Sequence, residues 1–304
     1  MLIAIVPDGL AGLRADTGAA RLFGVSRSQI EQAAEQGGLR LDGTLIAKST
    51  PLRPGAMLEV DIEQPRPVQI HPGLVEGMAI IYDDADIVVV DKPPGIAAHP
   101  SSGWDGPSVL EHLLAAGFQL SEYGPADRQG IVSRLDVGTS GLMVVAKSNL
   151  AYLRLKDAFR DRQVHKVYHA LVQGYPEPSS GTIEAPIGHA KTGEWKMAID
   201  PAGRVAITHY SLLETVTKAT LVRVVLETGR THQIRVHMAA IRHPCVGDLL
   251  YGADPVLTAE AGLRRQWLHA VELGFTHPRS GQPMVFNSDY PPDLAQALDR
   301  LRNA

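Results

Sequence analysis

Cysteine is all but absent, with Cys245 the single one in 304 residues. One thiol cannot build an internal disulfide framework, and its scarcity suits a reducing cytoplasm. Long hydrophobic runs are missing too. No stretch approaches the ~18 uninterrupted apolar residues of a membrane span, so a soluble chain with no membrane partner is expected. The opening Met1 to Asp8 has an apolar run, but no basic region precedes it and Pro7 and Asp8 cut it short, so no export signal is read there. Aromatic residues make up only 5%, which counts against recognition by extensive base stacking and leaves folded shape and backbone as the features to be read in any nucleic-acid partner. A basic surplus is lacking as well: 29 Lys and Arg face 33 Asp and Glu, a formal net charge of -4. Taken alone, that balance counts against a phosphate-rich partner.

Charge is unevenly placed, however. Residues 131 to 170 hold seven Lys and Arg (134, 147, 154, 156, 160, 162, 166) against three Asp (136, 157, 161), a local surplus of four. A solvated helix face gives such a run, and so does a groove for an anionic polymer. The length allows two domains at about 100 to 200 residues each. Residues 1–62 read as a compact unit in the order helix, helix, strands, with Gly37 and Gly38 stopping the second helix. Residues 63–76, with Pro65, Pro67 and Pro72, read as a stiff linker. Residues 77–304 form the larger domain, opening with a hairpin of Ala79 to Tyr82 and Ile87 to Asp91. Leu142 to Ala146 is a continuous apolar run, as in a strand buried on both faces, and Ser148 is placed to cap the helix that follows.

Three segments carry chemistry. In Gly130-Ile131-Val132-Ser133-Arg134-Leu135-Asp136-Val137-Gly138-Thr139-Ser140-Gly141-Leu142, a carboxylate stands on a glycine-flanked turn directly before that apolar strand. Glycines permit a backbone path that carries a short side chain into a pocket, although an isolated Asp-x-Gly is ordinarily a turn bonding its own backbone. In His165 to Val172 the alternation of a strand puts Lys166 and Tyr168 on one face. The third segment runs from Glu227-Thr228-Gly229-Arg230-Thr231-His232-Gln233-Ile234-Arg235-Val236-His237-Met238 through His243-Pro244-Cys245-Val246-Gly247-Asp248 to Tyr251-Gly252. Its histidines at 232, 237 and 243 do not match the usual spacings of zinc ligands and no cysteine pair joins them, so no metal is expected. Cys245 reads as a small buried residue, and Arg265 to Ala270 with Phe275 to Pro278 read as core and sheet edge.

The first segment resembles the active-site motif of the RluA/RluD family of pseudouridine synthases, and the other two resemble further motifs of that family, over about residues 75 to 292. The resemblance implies an α+β catalytic domain with a mixed, largely antiparallel sheet and a central cleft, working without a cofactor. It also implies isomerisation of specific uridines in RNA, with Asp136 as the catalytic residue, Tyr168 near the target base and Arg235 paired with Asp136. A desolvated carboxylate rises in pKa, and a neighbouring guanidinium offsets that by ~1 to 3 units. Arg134, Lys166, Arg230, His232 and Gln233 are the implied RNA contacts. Residues 1–62, through Arg14-Ala15-Asp16, Ser26-Arg27-Ser28, the Asp42-Gly43 turn and Leu52 to Ala56, resemble a small S4-like RNA-binding domain, in which Arg27 at a helix start is the best phosphate contact and Ser26 serves equally well as an ordinary N-cap. An S4-like module points to large-subunit ribosomal RNA, free or in an assembly particle, ahead of transfer RNA. Glu31 and Glu35, on a helix that is commonly basic in such modules, keep a non-catalytic RNA-binding or ribosome-assembly factor as the rival reading.

Overall fold

The computed structural model describes residues 1–304 except 26, 63–68, 102 and 191–195, together with the side chain at 28. It divides into two compact units, Met1–Pro67 and Val68–Ala304. In the smaller unit, β1 (Leu2–Ile5) precedes α1 (Ala15–Phe23) and α2 (Arg27–Glu35), and β2 (Leu39–Leu41), β3 (Thr44–Leu45) and β4 (Met57–Val60) follow. The strands form an antiparallel sheet in the order β1-β4-β2-β3, and Ala15, Ala19, Ile30, Leu39, Leu52, Leu58 and Val60 pack beneath it. Both helices are visible in the sequence pattern, whereas Leu2 to Ile5 stands out there only as an apolar run. Its alternation is muted because Ile3 and Ile5 face solvent and the inward residues are Leu2 and the small Ala4, so the β period does not stand out. The expected cap Ser26 lies outside the described residues.

The larger unit begins earlier than the linker reading placed it. Residues 69–76 lie against it: the backbone N–H of His71 donates to Glu111 Oε1 at 2.8 Å and that of Val75 to His112 Nδ1 at 2.9 Å, while Ile70 and Val75 pack on the core. Proline density resembles a linker because proline lacks the N–H that regular structure needs, but the N–H groups of His71 and Val75 are bound by side chains of a helix. Residues 63–68 of that expected linker lie outside the described residues.

From there the chain runs β5 (Ala79–Asp83), β6 (Ile87–Lys92), α3 (Val109–Ala115), β7 (Ser140–Ala146), α4 (Asn149–Arg160), β8 (His165–Gln173), β9 (Ser180–Glu184), β10 (Ile187–His189), β11 (Met197–Ile199), β12 (Ile207–Val216), β13 (Ala219–Leu226), α5 (Gln233–Ala240), α6 (Pro255–Ala261), β14 (Leu268–Thr276), β15 (Pro283–Asn287) and α7 (Pro292–Arg302). A nine-stranded sheet takes the order β5-β6-β7-β14-β8-β13-β12-β9, with β15 also pairing β14. Among the described strands of this sheet only β7 and β14 pair in parallel, so the α+β, mixed and largely antiparallel sheet implied by the resemblance is what forms. Arg265 to Ala270 and Phe275 to Pro278 read as core and sheet edge: Trp267, Leu268, Ala270 and Phe275 are indeed buried, but Leu268–Thr276 lies in the interior of the sheet between β7 and β8 and not at its edge. Strand neighbours are set by contacts remote in sequence, which local pattern does not carry.

Two features fix β7, and through it the loop in front of it. All seven of its residues are buried, packed on one face against α3 and on the other against α4, whose N-cap Ser148 accepts the N–H of Ala151. Gly141 has φ 115, and a Cβ there would lie 2.3 Å from the carbonyl oxygen of Ala270 and 2.6 Å from its nitrogen. Glycine alone lets β7 and β14 meet this closely where the loop ends.

Candidate active site

Asp136 stands on the loop ahead of β7, held from behind by groups distant in sequence. Leu135 is buried as an anchor, and the Thr139 N–H closes a turn on the Asp136 carbonyl at 3.0 Å. The Val137 carbonyl accepts from the Gly95 N–H at 2.8 Å and from Lys92 Nζ at 3.3 Å. Lys92 is wholly buried and donates also to the carbonyls of Ile96 and Pro93, so its three protons are all used. Burial pulls its pKa down to about 7, and attraction to Asp136 acts against that. Arg265 reaches the Gly138 carbonyl at 2.9 Å while gripping Asp293 of α7. The loop backbone is thereby tied to β6 and α7, and the carboxylate projects from it into a cleft.

The cleft has a volume of about 760 Å³ and is walled by this loop, α4, β8 and the turn into α5. Arg235, Tyr168, Lys166, Arg134, Arg230, His232 and Gln233 all line it with Asp136, so every large-unit residue singled out in the sequence meets at one place. Among the described residues Asp136 is the only carboxylate of the lining, beside cations that include Arg128, Lys156 and Arg160, three groups that sequence motifs did not name. Lys156 and Arg160 are one helical turn apart on α4, and their spacing was the available signal.

Arg235 contacts Asp136 less tightly than the sequence suggested: its Nη1 lies 3.4 Å from Oδ2. Its firm partner is Asp248, which takes Nε at 2.6 Å and Nη2 at 2.9 Å, both groups being buried. The guanidinium also lies over the ring of Tyr251, 4.8 Å from its centre. Burial disfavours the charge on Arg235, but Asp248 and then Asp136 more than offset this and hold its pKa above the ordinary arginine value. Asp248 was not singled out because a Gly-Asp pair in a loop reads as turn chemistry. Asp136 Oδ1 has no hydrogen-bond partner among the described residues.

Tyr168 is half-buried beside Asp136, and its hydroxyl has no partner among the described residues. Burial, and then the Asp136 charge, push its phenol well above the ordinary value, so at neutral pH it is a proton donor rather than a base. Burial, followed by repulsion from Arg230 and Arg162, lowers Lys166 to about 8, and this ammonium has no anionic partner among the described residues. Arg230 is held through Nε by the Val205 carbonyl at 2.9 Å, which leaves its outer nitrogens facing the cleft. Gln233 departs from its expected RNA-contact role. Its oxygen accepts from Thr228 Oγ1 and the Arg230 N–H, and its nitrogen donates to the Ile207 carbonyl and Thr208 Oγ1, so the amide is spent on shaping the turn. Arg27, in the small unit, donates to Asp16 at 2.9 Å and pairs with Glu31 at 3.3 Å while remaining half exposed.

Among the described residues, the one group of potential metal ligands lies outside the cleft. His237 uses both ring nitrogens on Thr208 and the Ala185 carbonyl, and His243 bonds the Gln173 carbonyl. Ligand atoms of Asp84, Asp86 and His277 lie within 4.8 Å of one another elsewhere, but Arg279 already neutralises Asp86 through two bonds of 2.5 and 2.7 Å. Cys245 is buried, and that burial raises its thiol pKa far from the reactive range.

The family model for RNA pseudouridylate synthase matches residues 86–240, from β6 to the end of α5. The chain is 57% identical to an uncharacterized RNA pseudouridine synthase of Mycobacterium bovis, over 98% of this chain and 97% of that protein. This chain belongs to the RNA pseudouridylate synthase family. A ribosomal large subunit pseudouridine synthase D of Nitrosomonas europaea is 41% identical over 98% of this chain and 87% of the relative. Among solved structures, human RNA pseudouridylate synthase domain containing 1 overlays with a TM-score of 0.60 at 29% identity, covering 75% of this chain and 90% of that one. The protein is therefore an RNA pseudouridine synthase, an isomerase of uridine in RNA. No helix among the described residues is long and apolar enough to cross a membrane.

The net reaction of a pseudouridine synthase breaks N1–C1′ and C5–H and forms C5–C1′ and N1–H, with nothing oxidised or reduced. The cleft brings together Asp136 with its unpartnered Oδ1, the Tyr168 phenol and several cations.

Proposed function

We propose that the protein modifies large-subunit ribosomal RNA in the cytoplasm, with Asp136 as the catalytic carboxylate. The observation that carries this reading is Asp136 itself: among the described residues one carboxylate, with an unpartnered oxygen, in a cleft whose other charged side chains are cations, on a loop braced from behind. Arg235, clamped by Asp248, keeps a positive charge beside it. The target uridine is flipped out of its helix into the cleft, at an unstacking cost of a few kcal/mol, where Tyr168 packs on the base and Arg134, Lys166 and Arg230 bind flanking phosphates. The relative named for the ribosomal large subunit, matched over nearly the whole chain, supports that substrate, as does the S4-like order of helices and strands in the small unit. In that unit Arg27 is the phosphate contact, and it must share itself with Asp16 and Glu31.

Mapping pseudouridine in total RNA from cells with and without the gene tests the substrate. Loss of defined large-subunit uridine modifications on deletion, restored by the wild-type gene, is the expected result. Loss confined to transfer RNA would keep the chemistry and overturn the substrate, and an unchanged map would favour the RNA-binding factor.

A further inference from the structure

His232 has a position that neither phosphate binding nor packing accounts for. Its backbone is left-handed, with φ 56 and ψ 21, at the N-cap of α5, a conformation glycine would adopt without strain. Strain of this kind persists where the side chain is used. Ring Nδ1 lies 2.8 Å from the hydroxyl oxygen of Tyr251, and the same oxygen accepts the backbone N–H of Met197 at 3.0 Å. The phenol has one proton, and Nδ1 is the only acceptor for it among the described residues. His232 therefore accepts at Nδ1 and carries its own proton on Nε2. The two rings meet edge to face, which fixes the imidazole plane.

Nε2 lies 3.9 Å from Asp136 Oδ2, too far for a hydrogen bond, and both groups line the same cleft. The N–H is thus free to meet a substrate atom bound against Asp136. Whether the carboxylate attacks C1′, adds at C6 or eases departure of the base, an electron pair moves into the uracil ring and charge builds on its carbonyl oxygens. Arg235 does not answer that charge, because two of its nitrogens hold Asp248 and the third faces Asp136. We propose that His232 donates its Nε2 proton in a hydrogen bond to a uracil carbonyl oxygen, stabilising the negative charge that forms on the base during isomerisation. Burial lowers the pKa of the ring, with Asp136 opposing and Arg235 reinforcing the shift, so it acts as a neutral donor that does not quench the Asp136 carboxylate. This inference rests on Asp136 being the catalytic group.

The test is single-turnover pseudouridine formation with excess enzyme on total RNA from cells lacking the gene, with RNA affinity and melting temperature measured beside it. His232→Ala is expected to slow the step about a hundredfold, with affinity within about threefold of wild type. His232→Gln, which keeps an N–H donor, should recover part of the loss, and added imidazole should restore rate to His232→Gly. A His232→Ala rate within about threefold of wild type, a loss seen only in affinity, or a loss that neither glutamine nor imidazole repairs would overturn the proposal. Asp136→Asn run in parallel separates the two failures. If it remains active the reading of the site is wrong, and if it is dead while His232→Ala is active only the histidine role fails.

Discussion

Asp16 in the small unit and Asp136 in the large one are both shielded aspartates facing arginine, and the structure treats them in opposite ways. Asp16 is fully buried and saturated: Arg14 and Arg27 reach it at 2.8 and 2.9 Å, and the N–H and hydroxyl of Thr17 at 2.7 and 3.0 Å. Those bonds, Arg14 first, hold its pKa well below the ordinary carboxylate range. Asp136 has a single long contact from Arg235, keeps one oxygen free and opens into a cleft. The lesson is one of donor supply. A carboxylate given every donor it can use holds a fold together, whereas one left short of donors next to a cavity keeps its lone pairs for a substrate. Beside the cleft, Asp248 takes two donors from Arg235 and so holds the guanidinium that would otherwise close on Asp136.

The comparison breaks most readily at Asp248. Replacing it with alanine leaves Arg235 buried with only its long contact to Asp136, and a loss of about 3 to 5 kcal/mol is expected from denaturant unfolding. Asp248→Asn keeps the shape but frees Arg235 to swing, and a single-turnover rate about a hundredfold lower, with RNA affinity little changed, is expected. Asp16→Ala should do the reverse, costing about 1 to 3 kcal/mol of stability, since its arginines remain half exposed, while leaving the chemical step untouched. The sign with pH follows from its lowered folded pKa. Its stabilisation is complete above the unfolded value of about 3.9 and fades as pH falls below that toward the folded value, so melting curves of wild type and Asp16→Asn should converge in acid.

Smaller effects sharpen the same contrast. Because Tyr168 is held protonated by burial, its hydroxyl is not the base, and Tyr168→Phe should keep the single-turnover rate within about tenfold of wild type. Lys166 titrates near 8, charged below and neutral above. RNA affinity should therefore drop a few-fold between about pH 7 and pH 9, and Lys166→Arg should remove that dependence.

Much of the candidate site was legible from the chain because its groups sit in three short segments that resemble family motifs, while pattern alone gives only their local geometry. Lys166 and Tyr168 share a face through strand alternation, and Asp136 owes its exposure to a turn followed by a strand buried on both sides. What escaped depends on contacts remote in sequence. Asp248 acquires its role only when α5 folds beside its loop, and the placement of β14 inside the sheet depends on β7 and β8. Gln233 has the appearance of an RNA contact, yet its amide is consumed by β12 and the α5 turn. The helix-bound half of the expected linker was hidden because its N–H groups are satisfied by Glu111 and His112 across the fold.

One experiment bears most directly on the role of Asp136: purified Asp136→Asn compared with wild type for single-turnover pseudouridine formation, RNA affinity and melting temperature together. The expected result is a rate at least about a thousandfold lower, with affinity within about threefold and the melting temperature almost unchanged, since this carboxylate bonds little in the folded protein. Substantial remaining activity, or a loss explained by a large fall in melting temperature, would contradict it and place Asp136 with Asp16 among the structural carboxylates.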